Sequence, residues 1–278
     1  MRNNNRLTAL FTLALLFLFI TAAGAKKEAE IIFEAERENE PIPLPTTGNP
    51  GLTLEGTYEI QTEYVRLKLG NDKIAGYKAG LTSRGAQEKF GVSTPVSGVL
   101  FSSGMYMNSP SVDGSKLRGP VIETEIGFVV GKPIEEKITD AGRLMDHIST
   151  IMPVIEIPEA GFADMNKLKA EDIVAANVGS AAFITGAQKP LANDDLDGLI
   201  VELVSGGETL YEGRGSDAMG GQREALLWLV NSVLGNGWKI EKGNILITGA
   251  LGNVVPANPG RYEARYGGLG NISFEIKR

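Results

Sequence analysis

Glu123 and Glu125 stand two residues apart inside Val121–Val130, a run that is otherwise apolar apart from Thr124. In a strand, residues i and i+2 share a face, so the two carboxylates point the same way. Like charges on one face repel, and carboxylates among apolar side chains are destabilising unless a cation faces them. A hard divalent cation meets both demands, so the pair reads as part of a metal site. A second apolar run, Val154–Ile157, carries Glu156, with Glu159 close behind as an alternative third carboxylate.

Composition narrows the chemistry. There is no cysteine and a single histidine, His147, which excludes disulfides, thiolate nucleophiles and any metal site needing sulfur or two imidazoles. Oxygen ligands remain, favouring Mg2+, Mn2+ or Ca2+. With 278 residues, 42% of them hydrophobic, the chain can bury a substantial core. A formal net charge of −7 and the lack of a basic patch argue against nucleic acid as a partner.

The N-terminus has the pattern of a secretory signal: Arg2 and Arg6, an apolar stretch from Leu7 to Ile20, then Ala23-Gly24-Ala25. The apolar stretch is short for a bilayer crossing, which needs about 20 residues. A cleaved signal over 1–25 is therefore expected, with a periplasmic or secreted product and no stable membrane anchor. The mature chain would keep 25 basic residues (27 less the two arginines) against 34 acidic ones, a formal −9.

Periodicity predicts a helix over Lys26–Glu38, a Pro- and Gly-rich loop over Glu40–Gly51 and a helix over Leu54–Leu69 with Leu54, Tyr58, Val65 and Leu69 on one face. These form an N-terminal helical arm, 26–75. From Gly76 onward, short β-type runs dominate, among them Val99–Phe101, Val121–Val130, Val154–Ile157, Ile173–Thr185, Leu199–Val204, Ile245–Thr248 and Ile272–Ile276. Helices are expected over Asp140–Thr150, carrying His147, and Gly221–Val233. Thr209–Glu212 is expected to close a hairpin, and Gly267-Gly268-Leu269-Gly270 to form a turn. Strands outnumber helices without alternating with them, which predicts an α+β fold with a curved, largely antiparallel sheet over 76–278.

Five strings in order, Gly76-Tyr77-Lys78-Ala79-Gly80-Leu81-Thr82, Gly98-Val99-Leu100-Phe101, Ile122-Glu123-Thr124-Glu125-Ile126, Gly213-Arg214-Gly215-Ser216 and Ile247-Thr248-Gly249-Ala250-Leu251-Gly252, resemble the 2-keto-4-pentenoate hydratase family of the fumarylacetoacetate hydrolase superfamily. The resemblance runs from about Glu28 to the C-terminus. It implies a mixed β-sandwich or β-roll with flanking helices, a homo-oligomer, and a Mg2+ or Mn2+ cofactor held by Glu123, Glu125 and Glu156. It also implies a small 2-oxo or 2-hydroxy-dienoic acid as substrate.

By the same resemblance Lys78 faces the substrate. Ser103 stands where the family has an acidic residue after its Leu-Phe pair, and Asn177 belongs to an Asp-Asn pair that reads Ala176-Asn177 here. Lys78, Ser103 and Asn177 are thus the expected catalytic positions, and Ser216 and Leu251 the expected substrate contacts. Glu88, Asp113 and Asp217 are acids that could fill an altered acid–base role. The implied activity is metal-dependent addition of water to a 2-hydroxy-2,4-dienoate or 2-oxo-enoate, as in aromatic-compound degradation. The alternative is an exported relative that only binds a small carboxylate, decarboxylates, or hydrolyses a C–C bond on the same metal site.

Overall fold

The computed structural model describes residues 23–191 and 195–278. The expected arginines and apolar stretch of the export signal lie outside the described residues. Among those residues no helix is long and apolar enough to cross a membrane.

The helices are α1, described over 23–37, α2 (Pro45–Gly48), α3 (Leu54–Leu69), α4 (Arg84–Phe90), α5 (Ala141–Met145), α6 (Ala170–Ala175) and α7 (Gln222–Gly235). The strands are β1 (Ile74–Gly80), β2 (Val96–Phe101), β3 (Met105–Met107), β4 (Ser111–Asp113), β5 (Val121–Val130), β6 (Ile148–Ile157), β7 (Ala182–Thr185), β8 (Lys189–Pro190), β9 (Ile200–Ser205), β10 (Glu208–Arg214), β11 (Ile245–Ile247), β12 (Val255–Pro256), β13 (Gly260–Arg265) and β14 (Asn271–Lys277). One sheet runs β2-β1-β11-β5-β6-β7-β3, with β12 added to β5 and β8 to β6; the other runs β10-β9-β13-β14-β4. Most pairings are antiparallel; β1–β11, β3–β7 and β4–β14 are parallel. The fold is the mixed α+β architecture expected, two sheets with flanking helices.

β5 lies between β11 and β6, so both of its edges are paired; side chains on both of its faces are largely buried, and the run reads as nearly continuous apolar sequence instead of alternating. Gly76 lets β1 reach β11: a Cβ there would stand 1.8 Å from the Ile245 carbonyl oxygen. That pairing sets Lys78 opposite Ile247, and β11 sets Ile247 opposite Gly127 of β5. Ala29 and Ile32 of α1 and Ile60, Tyr64 and Val65 of α3 share one core with strand residues such as Ile122, Ile126 and Phe274.

Several elements differ from the expectation. The Pro-rich stretch holds a short helix, α2, opened by Pro45 at its first position, where proline loses no hydrogen bond. Of the expected α3 stripe only Val65 is fully buried, Leu54, Tyr58 and Leu69 being half-buried; the other buried residues are Thr57, Ile60, Gln61 and Tyr64. Gln61 can be buried because its amide donates to the carbonyls of Ser97 and Val174. Ile173–Thr185 is not one strand: it is the end of α6, a tight turn and β7. Asp172 takes the backbone amide of Lys169 and both the amide and hydroxyl of Thr46, which fixes a helical turn in an apolar run. The helix expected over Asp140–Thr150 ends at Met145 and leaves His147 outside it, because Ile148 already joins β6 opposite Val130.

Candidate active site and metal centre

β5 and β6 pair so that Glu123 stands directly across from Glu156. Glu125, two residues along β5, falls on the same side. One carboxylate oxygen from each of the three lies within 4.8 Å of the others. Glu125 and Glu156 are fully buried, while Glu123 is half-buried.

Lys78, 2% exposed, reaches the cluster from β1. Its Nζ donates to Oε1 of Glu156 and, at 3.0 Å, to the Val178 carbonyl. That carbonyl is delivered by Asn177 and Val178, both left-handed (φ 53° and 55°), a conformation that non-glycine residues hold only when their surroundings enforce it. The enforcement is visible: the Asn177 side chain accepts from the Val99 amide at 2.7 Å and donates to the Val99 carbonyl at 2.8 Å.

Electrostatics demand one more partner. Burial, then the charge of Glu156, pushes Glu123 up to about 7, with Lys78 opposing. Glu125 is driven well above the carboxylate range by burial and by Glu156 and Glu123, against the pull of Lys78 and the Gly249 amide. For Lys78, burial works against the ammonium, yet Glu156, Glu123 and Glu125 outweigh it and raise the pKa. Three negative charges against one positive leave a formal −2. Glu125 Oε2 accepts from Gly249 N at 2.7 Å, but Glu125 Oε1 and Glu156 Oε2 are buried without any hydrogen-bond partner. Orphaned buried oxygens and an uncompensated −2 are what a divalent cation resolves. Hard oxygen donors without sulfur or imidazole suit Mg2+ or Mn2+.

The cluster opens onto a cleft of about 660 Å3 lined by Lys78, Glu123, Asp217 and the 250–254 loop, with Phe90, Phe162 and Leu168 among its apolar residues. A concave, largely apolar pocket with a few convergent polar groups is the form a small-molecule site takes.

Of the positions singled out in the sequence, Lys78, Glu123, Glu125 and Glu156 converge. Asn177 is adjacent, but both ends of its amide are spent on Val99, so it positions the turn. Ser103 is a correction: it is exposed and bonded to Asp72 through its amide (3.2 Å) and hydroxyl. It lies five residues along from Gly98, the β2 partner of Lys78, or roughly 16 Å of extended chain. Leu251 is a second correction, fully buried and paired through its backbone with Thr124, while its neighbours Ala250 and Gly252 line the cleft. Ser216 is a third: its amide caps the Asp197 carbonyl at 3.0 Å, and the next residue, Asp217, lines the cleft. In each case a chain neighbour lines the cleft in place of the expected residue.

Glu159 does not join the metal cluster; its carboxylate pairs with buried Arg118. Glu88 is tied to Arg84 on the exposed side of α4, and Asp113 caps Ser115. The Gly249 amide and the Val178 carbonyl had no signal in the sequence beyond the glycines beside them.

The profile of the fumarylacetoacetate (FAA) hydrolase C-terminal family matches residues 81–276. The chain belongs to the fumarylacetoacetate hydrolase family. Among its curated relatives, 2-keto-4-pentenoate hydratase of Paraburkholderia xenovorans (strain LB400) is 29% identical over 264 residues, covering 93% of this chain and 97% of the relative. 4-Oxalocrotonate decarboxylase of Pseudomonas sp. (strain CF600) is 32% identical over 248 residues, covering 88% and 94%. Among solved structures, 4-oxalocrotonate decarboxylase from Pseudomonas putida G7, complexed with magnesium and adipate, superposes with a TM-score of 0.86 at 31% identity, covering 91% of this chain and 97% of that one. Relatives of both names are enzymes, and the carboxylate triad Glu123, Glu125 and Glu156 of this chain suits the Mg2+ that the decarboxylase structure contains.

Proposed function

We propose that this protein is a divalent-metal-dependent hydro-lyase that adds water to a short 2-hydroxy-2,4-dienoate or its 2-oxo-enoate tautomer. The observation that carries the reading is the −2 cluster of Glu123, Glu125, Glu156 and Lys78, with two orphaned carboxylate oxygens, at a cleft with apolar walls. The three glutamates would hold Mg2+ or Mn2+, which supplies a Lewis acid for the carboxylate and 2-oxo oxygens of the substrate. Lys78, its pKa raised, keeps its proton at Nζ and serves as a fixed positive charge beside Glu156 and the developing oxyanion, not as a base. Phe90, Phe162 and Leu168 take the carbon chain and exclude water from it.

A second reading, decarboxylation of a 2-oxo-enedioate, draws support from the decarboxylase names among the relatives and from Lys89. This cation lines the cleft and has no acidic partner among the described residues. The test is the absorbance of 2-hydroxypenta-2,4-dienoate followed with Mg2+, with Mn2+ and with EDTA. Metal-dependent decay above spontaneous ketonisation, yielding a 4-hydroxy-2-oxo acid, supports the hydro-lyase. CO2 release from 2-oxohex-3-enedioate without that hydration supports the decarboxylase. We further propose that the chain acts outside the cytoplasm, on the strength of Arg2, Arg6 and the apolar stretch that follows.

A further inference from the structure

Water addition needs a group that takes a proton from water and returns one to carbon, and the metal cluster does not supply it. Glu123, Glu125 and Glu156 would hold the cation, and the Lys78 Nζ is taken up by Glu156 and the Val178 carbonyl. The remaining titratable residues lining the cleft are Lys89, Glu159 and Asp217. Lys89 is an exposed cation. Glu159 is taken up by Arg118, its Oε1 accepting from Arg118 N at 3.1 Å and its Oε2 from Nε at 2.9 Å.

Asp217 is held differently. Its Oδ2 accepts from two backbone amides, Arg214 at 2.7 Å and Gly252 at 3.0 Å. Its Oδ1 has no hydrogen-bond partner among the described residues and belongs to a half-buried side chain on the cleft. The second anchor is close to the metal centre: Leu251, next to Gly252, donates its amide to the Thr124 carbonyl at 2.8 Å, and Thr124 lies between two of the three glutamates. One oxygen is clamped and the other is free. That is how a carboxylate is oriented for proton transfer.

We propose, resting on the hydro-lyase reading, that Asp217 is the acid–base residue that activates the attacking water. Oδ1 accepts a proton as the water oxygen bonds to C4 of the conjugated 2-oxo acid. The C3–C4 π pair moves to C2–C3, and the 2-oxo oxygen takes the negative charge. The proton then passes from Oδ1 to C3, the 2-oxo group re-forms, and the carboxylate is regenerated with one water consumed.

The test compares wild type, Asp217→Asn and, as an exposed control outside the machinery, Glu88→Gln. An asparagine oxygen can still accept from Arg214 and Gly252, so the loop keeps its clamp. The expected result is a kcat for D217N lower by about 10²–10⁴-fold, with KM and the Mg2+-induced thermal shift as in wild type and E88Q. A kcat within threefold of wild type overturns the assignment and leaves the hydro-lyase reading standing. Should D217N also lose the Mg2+ shift, Asp217→Ala with added formate decides. Recovery of turnover shows that a base was lost; no recovery shows that only loop shape was lost and overturns the role. A wild type that shifts with Mg2+ but never hydrates the dienoate removes the lyase reading, and the role of Asp217 with it.

Discussion

Glu123 and Glu125 are stabilised by opposite things in the metal-free and metal-loaded protein. Without a cation, burial and mutual repulsion make protonation the easier escape, and Glu123 sits at about 7 instead of its usual 4.5. The native state then binds more protons than the unfolded chain between those two values, so stability falls as pH rises through that window. The contribution is fully present below about 4.5 and lost above about 7. Metal binding needs the ionised carboxylates and so runs the other way. The Tm of EDTA-treated protein is therefore expected to drop between pH 5 and pH 7.5, and Mg2+ to raise it more at pH 7.5 than at pH 5.5. A metal-free Tm that climbs over this range would refute the account. Glu125→Gln isolates the cause: a neutral isostere keeps the bond from Gly249 without the cost of protonating, or else ionising, a buried carboxyl whose pKa is raised. We expect roughly 1–2 kcal/mol of metal-free stability gained, together with loss of the Mg2+ shift.

At the scale of elements, the site depends on a left-handed turn wedged between two strands. A Cβ on Gly98 would stand 2.8 Å from the Asn177 carbonyl oxygen and 3.2 Å from the Val178 Cβ, so β2 is glycine where the turn presses in. Removing the Asn177 side chain leaves the buried Val99 amide and carbonyl without these partners and releases a strained backbone. Asn177→Ala is expected to lower stability by about 2–4 kcal/mol and to reduce turnover, since the Val178 carbonyl no longer holds Lys78. Equal urea midpoints for variant and wild type would contradict this. Such a turn leaves little trace in sequence. Periodicity located β5, α3 and α7 because their signals are long and local. It failed at Ile173–Thr185, where the deciding contact comes from Thr46, over a hundred residues away. The same limit explains the site. Glu123 and Glu125 announced themselves by lying in an apolar run, and Lys78 and Glu156 came from the family resemblance. Asp217 could not be ranked over Glu88 and Asp113 until the chain closed around it.

For the whole molecule, the proposed export turns on what the N-terminal helix contributes to the fold. α1 is built into the core through Ala29 and Ile32, 0% and 1% exposed, and Ala25 lies at its edge at 8%. Glu36 takes the Tyr64 hydroxyl and, at 2.6 Å, the Lys68 ammonium, which joins α1 to α3. The proposed cleavage after Ala25 would leave every one of these contacts except that of Ala25 itself. A chain beginning at Lys26 is thus expected to melt within about 2 °C of the full-length protein, since one alanine methyl contributes about 0.8 kcal/mol or less. A chain beginning at Asn39 loses Ile32, about 1.5–3 kcal/mol by burial, and the Glu36 contacts as well. Its Tm should fall by roughly 6–15 °C. The companion measurement is the intact mass of the protein from a fractionated native host. A mass beginning at Lys26 outside the cytoplasm agrees with export. A mass that retains residues 1–25 in the cytoplasmic fraction rejects it, and places the metal site in the same compartment as the intermediates of intracellular catabolism.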